Sequence, residues 1–425
     1  MIIQVENIVI MVYCLAMKIW IKYLIGCVLG VLAGIFLPSE NAVIQKIVSV
    51  LTDFCIHFGR WTLIPMLFFS MAISICNLRE EHKINKILLQ TFISIALVSL
   101  AFTIIGIIPA LIFKLPRIPI SVEKVTSPQG LNLAENLLKL FPFSGFQSLL
   151  EGSFLLPVFI FAIFIGAGFS SDKNISKPAY TLFDSLSHVF YVMMTFFVDI
   201  LSFGMVVIAA TWTTQFVSMV KTGVYTGFIL MLFSVFVFVV FAVYPLILRF
   251  AFKELHPFKI LYGTIATVLT AFFSMDSNLA LVTNIRHSKE SFGIRRRLNS
   301  ICLPIFSSFG RGGSACVTAI SFVVILRSYS GLGISFADVM WIIALSFLLS
   351  FLLSPIPVGG PFIAITILCT WYGRGFDAGY LLLKPAFPLI CAIAASIDAV
   401  NALLGTYIIA SKNKMIEHKE IRKYI

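Results

Sequence analysis

The sequence predicts an all-α polytopic membrane protein of eight transmembrane helices plus two re-entrant helical hairpins. Three observations carry that prediction. Of 425 residues, 59% are hydrophobic and only 12% are charged, with mean hydropathy +1.01, whereas a soluble domain carries about 25% charged residues. Apolar runs recur along the whole chain at the length of about 20 residues that a helix needs to cross a bilayer. Lysines and arginines gather between those runs, so the net charge of +12 follows the positive-inside rule and gives no reason to infer a nucleic-acid partner. The partner the composition implies is the lipid bilayer.

Residues 1–17 read as an N-terminal extension. Met17, followed by Lys18 and Lys22, looks like the start of an inside-anchored first helix, which leaves Met1 and Met17 both open as the start. No small-residue cleavage site of a secretory signal follows. The spanning runs are 19–37, 44–78 (overlong, hence tilted), 87–113, 154–169, 182–217, 225–250, 298–326 and 380–410. Two apolar regions do not fit a simple crossing. Region 260–285 is broken by "FSMDSN" and region 339–371 by "SPIPVGGP". Their arms are too short to cross alone, which is the pattern of a re-entrant hairpin whose backbone is buried in protein or faces a cavity.

Basic residues cluster at Arg79, Lys83 and Lys86; at Lys173 and Lys177; at Arg286, Lys289 and Arg295 to Arg297; and at Lys412, Lys414, Lys419, Arg422 and Lys423. With the N-terminus inside, all four clusters fall on the cytoplasmic side of the cytoplasmic (inner) membrane, and both termini are cytoplasmic. The long segment 114–150 then reads as an outer surface loop. A hairpin and broken helix (260–326) are followed by a hairpin and helix (339–410) entering from the opposite side. That is an inverted repeat in outline, an architecture that places a binding site near mid-membrane at broken helices.

The eight cysteines, Cys14, Cys27, Cys55, Cys76, Cys302, Cys316, Cys369 and Cys391, sit in apolar stretches without metal-type spacing and read as small buried hydrophobes. His82, His256, His287 and His418 fall in basic loops and read as solvated. Asp53 and Arg60 are spaced to pair on one helix face, and Asp199, Gln215 and Asp338 read as packing or interfacial groups. No G-x-S-x-G, H-E-x-x-H or paired-aspartate protease signature is present, so the chain is not read as an enzyme and no resident cofactor is expected.

The most unusual stretch is "PIFSSFGRGGSACVTAISFVVIL", where glycines and Arg311 interrupt a spanning helix. An ionisable group inside the membrane is by default a functional hypothesis.

In order and spacing the motifs resemble the glutamate transporter homologues, also called dicarboxylate/amino acid:cation symporters, with this chain a divergent member. "WIKYLIGCVLGVLAGIFLP" resembles that family's first helix and "RWTLIPMLFFSMAISICNL" its second. "GFQSLLEGSFLLPVFIFAIFIGAG" resembles the opening of the fourth helix, and "KILYGTIATVLTAFFSMDSNLALVT" the first hairpin. "LPIFSSFGRGGSA" stands in the place of the seventh-helix motif N-M-D-G-T, "PIPVGGPFIAI" resembles the second hairpin tip, and "IDAVNALLGTYIIASK" the end of the eighth helix.

The resemblance implies a homotrimer whose protomers combine a scaffold with a mobile transport domain. On that pattern 18–258 is mainly scaffold and trimerisation helices with part of the transport domain in the third-helix region. Residues 259–411 are the transport core and 412–425 a cytoplasmic basic tail. It implies elevator-type symport of a small organic anion, a dicarboxylate or acidic amino acid, with Na+ or H+ as coupling ion. The implied substrate site is framed by Ser274, Asp276, Ser277 and Asn278 on one hairpin tip and Pro357, Val358, Gly359 and Gly360 on the other, with Arg311, Ser314 and Asp398 inside. Gly310, Asp398 and Asn401 are the implied ion-coupling positions.

The departures are as informative. Asp276 puts an anion where an anionic substrate is received, and Gly310 and Gly312 replace the family's sodium-holding Asn and Asp. In the eighth helix, ungapped alignment places Ala394 at the family's arginine and Asp398 at its asparagine, whereas a gapped one brings Asp398 to the amino-binding aspartate. Hard cations need several oxygen ligands, and two unit charges ~4 Å apart repel by about 4 kcal/mol at an effective dielectric near 20. Arg311 therefore speaks against an intact sodium site beside it, and the coupling is expected to be altered. Three roles stay open for Arg311: an internal pair with Asp276 or Asp398 that stands in for a cation, a bidentate substrate ligand, or a snorkelling side chain. A proton-coupled or uncoupled carrier, with Asp276 or Asp398 taking the proton, and a transport-dead scaffold or sensor are the alternatives.

Overall fold

The computed structural model describes residues 18–37, 42–113, 116–119, 138–150, 154–170, 173–251, 256–329, 334–373, 375–417, 419 and 424. The extension 1–17 with Cys14, residues 120–137 of the expected outer loop, and His418, Arg422 and Lys423 of the tail lie outside the described residues. Among the described residues the chain is almost entirely helical, as the apolar periodicity requires. Seven stretches are long and apolar enough to cross a membrane. The eighth expected span, 154–169, is a shorter apolar helix, Leu156–Phe169. The protein is an integral membrane protein.

The helices run in order α1 (Ile19–Phe36), α2 (Ala42–Arg60), α3 (Leu63–Glu80), α4 (Ile84–Ile112), α5 (Leu156–Phe169) and α6 (Lys173–Lys221). Next comes α7 (Thr226–Phe238), carried on through π-helical turns at Val239–Val243 and Ile247–Ala251. The overlong run 44–78 is thus two helices, parted by a turn at Trp61 and Thr62. After a short helix Pro257–Tyr262, the chain forms α8 (Ile265–Ser274) and α9 (Ser277–Glu290), the arms of the first hairpin. The interrupted helix follows as α10 (Arg296–Phe309) and α11 (Gly312–Tyr329). The second hairpin is α12 (Phe336–Leu352) and α13 (Gly360–Tyr372), and α14 (Phe387–Lys412) closes the fold.

Local chemistry sets several of these ends. Ser335 accepts from Asp338 N while the Asp338 carboxylate accepts from Ser335 N, a capping box that starts α12. Asp338 also accepts from Tyr372 Oη at 3.0 Å, so it serves helix capping and hairpin packing. Prolines stand in the first turns of α5, α13 and α14, where a missing N–H removes no hydrogen bond.

Burial sorts the helices into centre and periphery. In the most apolar windows of Arg296–Tyr329 and Gly379–Lys412, 94% of residues are buried, against 33% in Ile19–Phe36 and 28% in Thr226–Phe250. The peripheral helices turn large apolar side chains outward, among them Phe36, Phe164, Phe203 and Phe241, which in a chain of this class face lipid or a neighbouring subunit. Helix α1 lies against α6 through Gly26, Gly30 and Gly34, where a Cβ would stand 2.3 to 2.7 Å from backbone oxygens of Ser202, Val206 and Ala210. Small residues one turn apart are how membrane helices bring backbones together without a hydrophobic driving force.

Among the described residues the cysteines are free, and all but Cys55 are buried. His287 departs from the loop reading. It lies on α9, 1% exposed, with Nδ1 3.3 Å from Ser291 Oγ, because the helical arm extends further toward the basic end than the sequence suggests. Arg60 turns to Asp276 at 2.9 Å rather than to Asp53. Asp199 joins Lys22 of α1 at 2.9 Å and Arg286 of α9 at 3.0 Å. Gln215 lines a cleft between α2 and α6.

Candidate functional site

The polar break in the first hairpin is a tight turn. Met275 takes left-handed backbone (φ 55°), and Asp276 is extended and caps α9, its Oδ1 accepting from Asn278 N at 2.8 Å and Leu279 N at 3.3 Å. An aspartate at this place satisfies amide groups that α9 leaves without an intrahelical partner. Ser274 Oγ accepts from Asp276 N at 3.2 Å and donates to Thr270 O at 2.6 Å. Ser274, Asp276, Ser277 and Asn278 are all buried.

The second hairpin tip is built for sharp bending. Gly359 has φ 76°, a conformation glycine adopts without strain. It lets α13 begin at Gly360, while the neighbouring Val358 side chain is 39% exposed. The two tips are joined by backbone. Ser277 N donates to Pro357 O at 3.1 Å, and Asp276 and Val358 form an antiparallel bridge.

Below the tips the α10–α11 break brings two half-helix ends together at Gly310 and Arg311. Asp398 of α14 accepts from Gly313 N at 2.6 Å, Ser314 N at 3.2 Å and Ser314 Oγ at 2.5 Å. It therefore caps the N-terminus of α11 from a different helix, where amide groups and the helix dipole favour negative charge. Gly313 permits the approach, since a Cβ there would stand 2.5 Å from Ile397 Cβ and 2.7 Å from Ala394 O. Asn401, one turn after Ile397, accepts from Tyr244 Oη at 3.0 Å. Its Nδ2 and Ser99 Oγ are buried without hydrogen-bond partners among the described residues, and both residues stand beside Gly312.

Arg311 is 3% exposed. Its Nη1 donates to Ser277 Oγ at 2.5 Å, and its Nε has no partner among the described residues. The expected internal pair with Asp276 or Asp398 is not formed. Asp276 is engaged by Arg60 and by the α9 amides, and Asp398 by the start of α11. Among the described residues no carboxylate stands within ion-pair distance of Arg311. A buried guanidinium with a spare donor, held beside the meeting point of both hairpin tips, can receive a carboxylate.

The expected positions are thus linked. Ser277 touches Pro357 and Arg311, Ser314 touches Asp398, and Asn401 adjoins Gly312. Arg60 and Tyr244 join them without having been expected there. In the sequence Arg60 is spaced to pair with Asp53, but its partner Asp276 lies far along the chain. Tyr244 sits between π-helical turns that no residue periodicity announces.

Comparison with known proteins gives the family. Residues 19–411 match the model of the sodium:dicarboxylate symporter family. The chain is 25% identical over 424 residues to the C4-dicarboxylate transport protein 2 of Ralstonia nicotianae, covering 93% of this chain and 89% of that one. It is 22% identical to the proton/sodium-glutamate symport protein of Bacillus subtilis, over 72% of each chain. It is 21% identical to the proton/glutamate-aspartate symporter of Escherichia coli, over 72% of this chain and 74% of that one. The chain belongs to the sodium:dicarboxylate symporter family.

Proposed function

We propose that this member of the sodium:dicarboxylate symporter family is a secondary active symporter of a small organic anion, a C4-dicarboxylate or acidic amino acid. Arg311 is its carboxylate-binding group. The observation that carries the reading is the buried guanidinium of Arg311, held by Ser277 and left with an unsatisfied Nε donor. A carboxylate accepting from Nη and Nε satisfies both through the planar fork that lysine lacks. Ser274, Ser277, Asn278 and Ser314 on one side and the 357–360 backbone on the other frame the substrate, and the joined tips are the closed gate.

Movement is of elevator type. The scaffold comes mainly from 18–258, the mobile part is built on 259–411, and the assembly is a homotrimer in the inner membrane with both termini cytoplasmic. Supporting that orientation, basic residues from three sequence regions line one cleft at one end of the bundle. Coupling differs from a plain sodium symport. Gly310 and Gly312 offer a cation only backbone carbonyls, and three acceptor positions of Asp398 are filled by α11. The fixed charge of Arg311 takes the place of one coupling cation, and Asp398 and Asn401 remain as the groups through which a proton or sodium acts.

Uptake into proteoliposomes tests this, with labelled succinate, aspartate and glutamate under imposed sodium or proton gradients. The expected result is saturable uptake of at least one dicarboxylate, with KM raised about ten- to a hundredfold in Arg311→Lys, the equivalent of roughly 1.4–2.8 kcal/mol. Unchanged uptake in Arg311→Met overturns the assignment of Arg311. High-affinity dependence on sodium alone overturns the altered coupling.

A further inference from the structure

The fold gathers charge at a second place, away from the hairpin tips. A cleft of about 670 Å³ lies where the α3–α4 turn, the α9–α10 connection and the chain after α14 meet. Lys83 comes from the first, Lys289, Arg295, Arg296 and Arg297 from the second, and Lys414 and Lys419 from the third. Among the described residues seven cations thus face two carboxylates, Glu81 and Glu417, an excess of five positive charges.

The local pairs do not discharge it. Glu81 is shared between Lys83 at 2.9 Å and Arg297 at 2.5 Å, and Glu417 stands 3.8 Å from Arg295. Arg296 reaches out of the cleft to Asp184 at 2.9 Å. Among the described residues no ion pair joins Lys289, Lys414 or Lys419. Lys289 lies 3.6 Å over the Tyr191 ring, and Lys419 donates to the carbonyls of Lys289 and Glu290 at 3.0 and 2.9 Å.

The backbone holds these charges together. Arg295 N donates to Met415 O and Glu417 N to Gly293 O, and Ile294 pairs with Ile416 as an isolated bridge. Gly293 has φ 65°, and a Cβ on it would stand 2.1 Å from Glu417 O, so only glycine lets the two segments close. The positive-inside rule explains why the basic residues share one end of the bundle. It does not require three distant segments to be tied around one concavity. A cleft lined by one sign of charge focuses its field and concentrates counter-ions.

We propose that this cleft is a binding site for a phosphate-bearing anion, distinct from the substrate site. Guanidinium forks and ammonium groups together match a phosphate's several acceptor oxygens. The ligand is either the headgroup of an anionic lipid or a soluble phosphate, and the two are told apart by the probe.

The test uses the full-length protein in detergent. Binding of pyrophosphate, of short-chain phosphatidylglycerol and of succinate is measured by calorimetry, with short-chain phosphatidylcholine as the uncharged control. The expected result is binding of pyrophosphate, phosphatidylglycerol or both, weakened about tenfold in K289Q/K414Q/K419Q and by added salt, which shortens the screening length. Phosphatidylglycerol alone identifies a lipid headgroup, and pyrophosphate alone a soluble phosphate. In a second measurement on the unaltered protein, the bound probe slows acylation of Lys289 and Lys414, read by mass spectrometry; this arm decides the matter where the triple variant does not fold. Binding of neither probe, equal affinity for succinate at this cleft, undiminished binding by a folded triple variant, or unprotected lysines overturns the proposal.

Discussion

Replacing Arg60 with methionine removes the partner of a fully buried carboxylate, and the structure sets how much that should cost. Arg60 Nη1 lies 2.9 Å from Asp276 Oδ2, with 17% and 0% side-chain exposure. The contact is ionic rather than a formed hydrogen bond, since Oδ2 has no aligned donor. At that separation the attraction is about 6 kcal/mol for an effective dielectric near 20, before desolvation is subtracted. Stripping one partner from a buried pair typically costs about 3–5 kcal/mol. Two α9 amides still hold the other oxygen, so the lower end, about 3 kcal/mol, is expected for R60M. D276N keeps a cap oxygen and leaves an arginine that, at 17% exposure, still reaches solvent, at about 1–2 kcal/mol. The double variant, lacking the stranded charge, should cost only about 2 kcal/mol, giving a coupling of roughly 2–3 kcal/mol against an additivity error of about 0.5. Unfolding in mixed micelles titrated with dodecyl sulfate, followed by tryptophan fluorescence, measures all four corners of the cycle. Additive effects within error would refute the pairing, as would an R60M protein as stable as its parent.

Three further outcomes follow from the site. Asp398→Ala strands the amides of Gly313 and Ser314 and the Ser314 hydroxyl and should destabilise by about 3 kcal/mol or more, whereas Asp398→Asn, keeping one acceptor, should lose less than half of that; the same micelle titration separates them, and equal losses would deny the capping role. Gly313→Ala drives a methyl to 2.5 Å from Ile397 Cβ, an overpacking that costs about 1–3 kcal/mol, while the added substitution Ile397→Ala should restore part of the loss. Tyr244→Phe removes hydrogen bonds to Asn401 Oδ1 and Ile397 O and should cost about 1 kcal/mol; under the proposed function it also changes the ion dependence of uptake, since Asn401 is then free to turn.

What could be read in advance follows the range of the interactions involved. Both hairpin breaks were legible because their causes are local: Asp276 caps the arm it precedes, and Gly359 supplies the turn its own segment needs. The α10–α11 interruption was legible from Gly310 to Gly313 for the same reason. The partners were not. Arg60 had a nearer candidate in Asp53, and nothing in the spacing reveals that folding carries Asp276 to it. Asp398 stood among the expected site residues, but nothing in the spacing reveals that its donors, Gly313 and Ser314, lie on another helix. The parting of 44–78 at Trp61 and Thr62 has no proline at the turn to mark it, and His287 was misplaced because a short helical extension buries it.

Charge balance at the site bears on how the proposed carrier would differ from what its relatives' names describe as proton or sodium symport. Four charged side chains gather around the hairpin tips: Arg60, Asp276, Arg311 and Asp398. Arg60 and Asp276 compensate each other. Asp398 is met by the amide end of α11, which carries about half a positive charge. The formal charges of these four side chains cancel, but Arg311 donates only to a hydroxyl oxygen, so among the described residues it has no direct counter-charge in a medium where an unpaired ion costs several kcal/mol. On the proposed reading a carboxylate supplies that direct partner, and the negative charge it brings has to be offset by a co-transported cation or proton if the loaded site is to cross the membrane neutral. A mobile sodium would bring its charge in with the substrate and release it, leaving the empty domain free to return. A covalently fixed guanidinium cannot leave. On the proposed reading the guanidinium thus stays to meet the substrate carboxylate in every state of the carrier, and the charge that couples transport to a gradient has to come from an ion that can leave.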